Sequence, residues 1–461
     1  MDGRPGICVM MWLSQIAQWT GGTLIGEDHK VSAVVTDTRD MAPGCLFVAL
    51  KGERFDAHDF LAQAAEGGAI AALVDREQSD FASAVQVDDT RLGLGRLASG
   101  YADQFTGERL AVTGNAGKTT VKEMAAAMLG EGTLATRGNF NNDIGVPLTL
   151  LRLAGEHRYA VIELGANASG EIAWTSSLAK PKVVLVTNVT GAHLEGFGSM
   201  QGIANAKAEI FGGCQAGGQA IINNDDSFAD FFAAEAEKAG LTVIRVGSQA
   251  PADLYAENIQ LHQERVEFVL QPLGETVILP LPGAHQVSNA LMACAAVRAL
   301  GVNLGEVLPR LAQLKPVPGR MNLHAVGDGV LVDDTYNANP GSVRVAIDWL
   351  AAQPAPQMLV LGAMGELGPQ AEQLVEELGD YARQAGISDL VVMTGASAAA
   401  VGFGEGARTA QNDQQAATWS APVLQQGGTV LVKGSRSAGM EAVVQRLTMG
   451  AGPHKSKQGA L

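Results

Sequence analysis

The sequence predicts an α/β protein of three domains whose sheets are mostly parallel. Three observations carry that expectation. Short apolar strands alternate with Ala-rich helical stretches along nearly the whole chain, the rhythm of strand–helix–strand crossovers. Several strands, among them RLAVTG, QMLVLGAMG and TVLVKGSR, run straight into a glycine-containing turn. Glycine (56) also far exceeds proline (17), as tight strand-to-helix turns require and disorder does not. At 461 residues the chain is too long for one ordinary core.

Taken in order, residues 1–105 form the first block, with LFVAL at 46–50 as a strand and LAQAAEGGAIAALV at 61–74 as an Ala-rich helix. Residues 106–316 form the second. It opens with the strand RLAVTG and the helical VKEMAAAML, and continues through the strands YAVIELG, KVVLVTNV and QAIINND with a helix at 201–212. Between 252 and 281 the pattern turns period-two, which predicts a β-hairpin or a small antiparallel annex. A long helix follows at about 285–300. The segment KPVPGR at 315–320 reads as a boundary, and residues 317–461 repeat the strand–Gly–helix rhythm in VLVDDTYN, QMLVLGAMG, LVVMTGA and TVLVKGSR.

Composition removes several classes of function. A net charge of −16 argues against a broad nucleic-acid footprint, which would need a basic face. No apolar run approaches the ~20 residues of a membrane span. The first residues do not form a convincing signal peptide, and Met10 or Met11 could be the natural start. Four cysteines, Cys8, Cys45, Cys214 and Cys294, show neither metal nor disulfide spacing, so reduced thiols in the cytoplasm are expected.

The most specific motif is Thr113-Gly114-Asn115-Ala116-Gly117-Lys118-Thr119-Thr120, between a strand and a helix. Glycines let backbone amides turn inward around phosphate oxygens, and the helix N-terminus adds positive potential. Lys118 supplies a full charge for the outer phosphates and Thr119 a hydroxyl for Mg²⁺. The usual pattern G-x-x-x-x-G-K-[ST] would put glycine where this chain has Val112, yet strand, G-K-T-T and helix stand in order. The motif predicts binding of a nucleoside triphosphate. By contrast Gly362, Gly365 and Gly368 are spaced G-x-x-G-x-x-G, not as a dinucleotide fingerprint.

Glu163 ends the apolar strand YAVIE, so its carboxylate should emerge on the same sheet edge as the phosphate loop and serve a metal. His193, after the strand VVLVTNV, is either a structural loop histidine or a group in the same crevice. Lys207 reads as a helix-surface lysine paired with Glu209 or Glu171. Asn139, Asn141 and Asn142 form an amide cluster more suited to turn capping than to ligand contact. Asp333, Asp334, Tyr336, Asn337 and Asn339 crowd one strand end and could hold a ribose, an adenine or a phosphate. Lys433 and Arg436 add a carboxylate or phosphate clamp at another.

Together the segments TGNAGKTTVKEM, GNFNNDIGVP, LGAMGELG and DDTYNANPGS resemble the Mur ligases, and the likeness runs from Thr36-Asp37-Thr38-Arg39 to Lys433-Gly434-Ser435-Arg436. YNANP and VKEM point, within that family, to the member that adds D-alanyl-D-alanine to UDP-MurNAc-tripeptide. The resemblance implies three domains: an N-terminal one for the UDP-muramoyl substrate, a central P-loop ATPase domain, and a Rossmann-like C-terminal domain that closes over ATP and takes the dipeptide. It implies a reaction in which ATP phosphorylates the tripeptide carboxylate and the incoming amine displaces phosphate, completing the peptidoglycan pentapeptide precursor. Its cofactors would be ATP and Mg²⁺, and a monomer is the expected state.

Carried over by motif, Thr119 and Glu163 resemble ligands of one Mg²⁺ and His193 of a second. Lys207 resembles the family's carbamylated lysine, which would act as a further metal ligand. Asn289 resembles an adenine contact, Asp334 and Tyr336 nucleotide contacts, and Arg320 a γ-phosphate contact. Asp37, Thr38 and Arg39 would lie near the uridine, and Asn142 would touch substrate. The chain departs from the family at Gln286, where Asn is usual, at Ala363, where Asp is usual, and at Val375, where His often follows. The last two argue against a polar role for that loop, while the ATP and metal groups are intact. Three other readings stay open on the residues alone: a related amide ligase such as a folylpolyglutamate synthase, a non-catalytic nucleotide-binding module, and a P-loop NTPase switch.

Overall fold

A computed structural model describes residues 7–52, 55–191 and 194–450. Its described strands form three sheets, of six, nine and six strands. The first runs in the order Ile7–Trp12, Lys30–Val35, Cys45–Val48, Ala69–Val74, Ala84–Gln86 and Thr23–Ile25, parallel in the middle and antiparallel at both edges. The stretch expected as one helix over 61–74 is instead a helix, Leu61–Glu66, followed by the strand Ala69–Val74. Gly67 and Gly68 break it: Gly68 has a φ of +105°, and a Cβ there would sit 3.3 Å from Pro43 Cα. Beyond the break the apolar run is buried between two parallel neighbours, and that burial outweighs alanine's helical preference.

The second sheet is parallel from Thr133–Ala135 through Tyr159–Glu163, Glu108–Thr113, Val183–Val186, Gln219–Asn223 and Thr242–Gly247 to Leu254–Leu261. The period-two segment is not a separate annex. Leu254–Leu261, Val266–Gln271 and Glu275–Leu279 extend this sheet, and their inner residues Leu254, Phe268, Leu270 and Leu279 pack with the helix His285–Ala299. The expected helix at 201–212 is present as Met200–Gly212. In the third sheet an antiparallel edge strand, Asn322–Val326, precedes Gly329–Asp334, Thr429–Lys433, Gln357–Leu361, Asp389–Met393 and Ala407–Ala410, which are parallel.

The apolar clusters divide unevenly. Leu94, Leu97 and Ala98 of the helix Thr90–Ala102 join the first sheet's Val34, Leu46 and Leu73 to Ala111, Ile162 and Val184 of the second in one continuous cluster. The contact is close: a Cβ on Gly95 would lie 2.6 Å from Trp174 Cζ2. The third sheet has clusters of its own on its two faces. No helix among the described residues is long and apolar enough to cross a membrane.

Candidate active site

Parallel strands deliver their carboxyl ends to one edge, and the site forms there. Val112 pairs with Glu163 on one side and Leu185 on the other, so the position where the usual motif has glycine is a buried strand residue. The turn begins two residues later. Gly114 has a φ of +137°, and a Cβ there would fall 2.0 Å from Thr187 Oγ1. Gly117, at +81°, closes the loop before the helix Lys118–Leu129; its Cβ would fall 2.6 Å from Asn289 Oδ1.

The next strand end braces the loop. Thr187 Oγ1 donates to Ala116 O at 2.6 Å, the Ala116 amide donates to Asn188 Oδ1 at 3.0 Å, and the Thr190 amide donates to Asn115 Oδ1 at 3.3 Å. None of these three had been singled out in the sequence, although they end an apolar strand just as Glu163 does. Lys118 Nζ donates to Gly114 O at 2.6 Å and to Asn115 O at 3.3 Å. Burial holds its ammonium below the usual lysine range, with Glu163 opposing that shift and Arg320 adding to it.

Glu163 is 2% exposed and held from three directions. Its Oε2 accepts from Thr119 Oγ1 at 2.9 Å, its Oε1 from Asn141 Nδ2 at 2.9 Å, and its amide donates to Thr136 Oγ1 at 3.0 Å. Asn141 thus supports a carboxylate rather than capping a turn. Its neighbour Asn142 does cap, accepting from the Gly145 amide at 2.8 Å. From the third sheet's side, Arg320 donates to Thr119 Oγ1 at 2.9 Å and lies 4.2 Å over the Tyr336 ring. Its Nε is buried without a hydrogen-bond partner, the condition of a cation awaiting an anion.

Lys207 is not on the surface. It is 1% exposed, with Nζ 5.4 Å over the Phe197 ring. Burial, reinforced by Lys118 and offset by Glu209 and Glu171, pushes it down to about 7. Glu209 accepts from the Gly170 and Ala173 amides, at 2.7 and 3.1 Å, and Glu171 from the Asn167 amide at 2.9 Å. The expected surface pairing therefore fails because both carboxylates cap backbone. His193 lies outside the described residues.

On the far wall Lys433 donates to Asp334 Oδ2 at 2.5 Å and Asn337 O at 3.0 Å, so it orders the DDTYN strand end. Gln286 uses its length to span two neighbours: its Oε1 accepts from Asn289 Nδ2 at 3.0 Å, and its Nε2 sits 3.0 Å from His285 Nε2. Burial and then Lys433 push His285 down to about 4, so a neutral imidazole can accept there. Val375 is buried in the third sheet's core, in keeping with an apolar role.

These groups line one cleft of about 480 Å³: Asn115 to Thr120, Asn139, Asn141, Asn142, Glu163, Lys207, Asn289, Arg320, Asp334, Tyr336, Lys433 and Arg436. Gly114 shapes the loop from behind. Asp37, Thr38 and Arg39 do not line it; Asp37 caps their turn and pairs with Arg39 on the first sheet.

A phosphate loop on a parallel sheet, met by an arginine from the segment that enters the third sheet, suits phosphoryl transfer from a nucleoside triphosphate. Family patterns agree: the Mur ligase family, catalytic domain matches residues 30–128, the Mur ligase middle domain 112–297, and the Mur ligase, glutamate ligase domain 319–436. The chain belongs to the Mur ligase family. Within it, the UDP-N-acetylmuramoyl-tripeptide–D-alanyl-D-alanine ligase of Escherichia coli is 46% identical over 95% of this chain and 98% of its own. A crystal structure of MurF from Acinetobacter baumannii superposes with a TM-score of 0.91 at 35% identity, covering 96% of this chain and all 100% of that one. The MurF ligase of Thermotoga maritima in complex with ADP gives 0.81 at 27% identity, over 90% and 97% of the two chains.

Proposed function

We propose that this chain joins D-alanyl-D-alanine to UDP-MurNAc-tripeptide at the expense of ATP, releasing ADP and phosphate. The observation that carries the reading is the meeting of Lys118, Glu163 and Arg320 around Thr119, from three separate segments. A free carboxylate is a poor acylating agent, and transfer of the γ-phosphoryl to it supplies a leaving group. Lys118 and Arg320 would stabilise charge on the transferring oxygens, the loop amides would hold the phosphates, and Asn289, Asp334 and Tyr336 would seat the nucleoside. The hard oxygens of Thr119 and Glu163 fit Mg²⁺, which when bound would neutralise phosphate charge. We assign His193 to a second Mg²⁺ on the family resemblance of its motif.

We assign residues 1–105 to the UDP-muramoyl substrate, with Asp37, Thr38 and Arg39 near the uridine and Asn142 facing the substrate across the cleft. Residues 106–316 would bind ATP, and 317–461 would close over it and receive the dipeptide. A monomer in the cytoplasm fits a chain whose Cys45, Cys214 and Cys294 are free thiols. The test is phosphate release from ATP and Mg²⁺ with UDP-MurNAc-tripeptide. Release that needs D-alanyl-D-alanine and yields the pentapeptide by mass supports the reading; ATP binding without such release overturns it.

Lys207 adds a pH prediction. Carbamylation joins the neutral amine to CO₂ and expels a proton, so it needs the deprotonated side chain. With the ammonium at about 7, that fraction falls roughly tenfold between pH 8 and pH 6. Turnover in CO₂-depleted buffer is expected to fall about as much, with bicarbonate restoring most of it at pH 6. An unchanged rate after CO₂ removal at pH 6 would refute a carbamate at Lys207.

A further inference from the structure

Two lysines rank among the largest fully buried side chains of the described residues, Lys207 and Lys122. The mechanism above uses the first and leaves the second without a task. Lys122 lies one turn beyond Lys118 on the same helix face, so two cations share an i, i+4 spacing that ordinarily destabilises a helix. Its side chain is 1% exposed, and an ammonium is costly to bury unless well paired. Its partners are the Thr136 carbonyl, at 2.6 Å, and the carboxylate of Glu123, at 2.7 Å.

Both partners lead to the cleft. Thr136 roots the segment 136–142: its amide donates to Val161 O at 3.0 Å, and its Oγ1 receives the Glu163 amide. Five residues on, the same segment supplies Asn141, which donates to Glu163 Oε1. Lys122 therefore pins the root of a segment that grips Glu163 at both backbone and carboxylate. Glu123, half exposed, lines the cleft itself.

We infer that Lys122 is a positioning residue: by anchoring Thr136 it fixes the Glu163 carboxylate against Thr119 for the divalent cation that accompanies the nucleotide. The inference rests on the metal role assigned to Glu163. An apolar side chain of similar length would fill the space and preserve packing but release the Thr136 carbonyl. The Glu163 carboxylate would then lose its fixed orientation without being removed.

The experiment is a Mn²⁺ titration of the full chain with saturating ADP, read by electron paramagnetic resonance, for the parent, Lys122→Met and Thr136→Val. Lys122→Met is expected to weaken Mn²⁺ binding about tenfold, lower kcat about fivefold, and leave KM for the dipeptide within twofold. Thr136→Val, which deletes the hydroxyl while keeping the shape, should weaken Mn²⁺ similarly, and Thr136→Ser should not. A folded Lys122→Met with parental Mn²⁺ affinity and a lowered melting temperature means the lysine is only structural and overturns the inference. If Lys122→Met does not fold, parental Mn²⁺ affinity in Thr136→Val overturns it instead. A parent that binds no Mn²⁺ with ADP refutes the metal reading, a different result from either.

Discussion

Replacing Lys118 by alanine is expected to lower kcat roughly a thousandfold while the protein stays folded. Removing one preorganised donor to a developing oxyanion commonly costs a factor of about 10² to 10³, and Lys118 is the full charge of a loop that otherwise offers amides. Folding should not suffer. Burial depresses the ammonium's affinity for its proton, so below the unfolded lysine's value near 10.4 the unfolded chain holds the proton more tightly. The charged lysine therefore costs stability at neutral pH, a cost fully present below its folded value and relieved as pH rises towards the unfolded one. Alanine should melt at the parental temperature or higher. Turnover within a few-fold of the parent would remove the phosphate loop from the mechanism.

Gly341→Ala is expected to lower kcat/KM about thirtyfold by obstructing domain closure. Gly341 stands in the first turn of the helix Pro340–Ala351, and a Cβ there would lie 2.8 Å from both Cβ and Cγ2 of Thr190, in the loop after the second sheet's strand Val183–Val186. Neither side can retreat easily. The Thr190 amide is tied to Asn115 and the Val189 amide to Asp226 at 2.8 Å, while Asn339 and Ser342 form a capping box that fixes the helix start. Overpacking of this kind costs about 1–3 kcal/mol, enough to shift a closed population by about fivefold to over a hundredfold. The helix itself tolerates alanine at least as well as glycine, so stability should hold or rise. Thr190→Gly in the same chain should recover most of the loss. Small-angle scattering with an ATP analogue and the muramoyl substrate should show compaction in the parent and not in Gly341→Ala; equal compaction in both would refute the clash.

The phosphate loop was legible because its turn chemistry is local and consecutive, and Glu163 because a charge closing a buried strand has few places to go. Lys207 misled because its charge outweighed its position. Ile203, Lys207, Ile210 and Phe211 share one helical stripe, and that spacing already implied burial. Lys122 shares a stripe in the same way with the buried Ala125 and Leu129. The turn at Gly67 and Gly68 is plain in the sequence, although the alanine content on both sides favours a continuous helix. Contacts between segments far apart in the chain, such as Gly341 on Thr190 or Arg320 on Thr119, are not legible in the sequence. Nothing local records which face of one domain another will meet.

The cluster that runs unbroken from the first sheet into the second makes them, in thermodynamic terms, a single cooperative unit despite their two architectures. Neither can lose its packing without exposing the other's, so a muramoyl nucleotide, if held by the first sheet as proposed, would also stabilise the fold around the phosphate loop by mass action. The third sheet stands outside that bargain. Among the described residues its apolar clusters are its own, and it meets the other two across the cleft through contacts such as Arg320 on Thr119, which leaves it free to open without breaking their shared core.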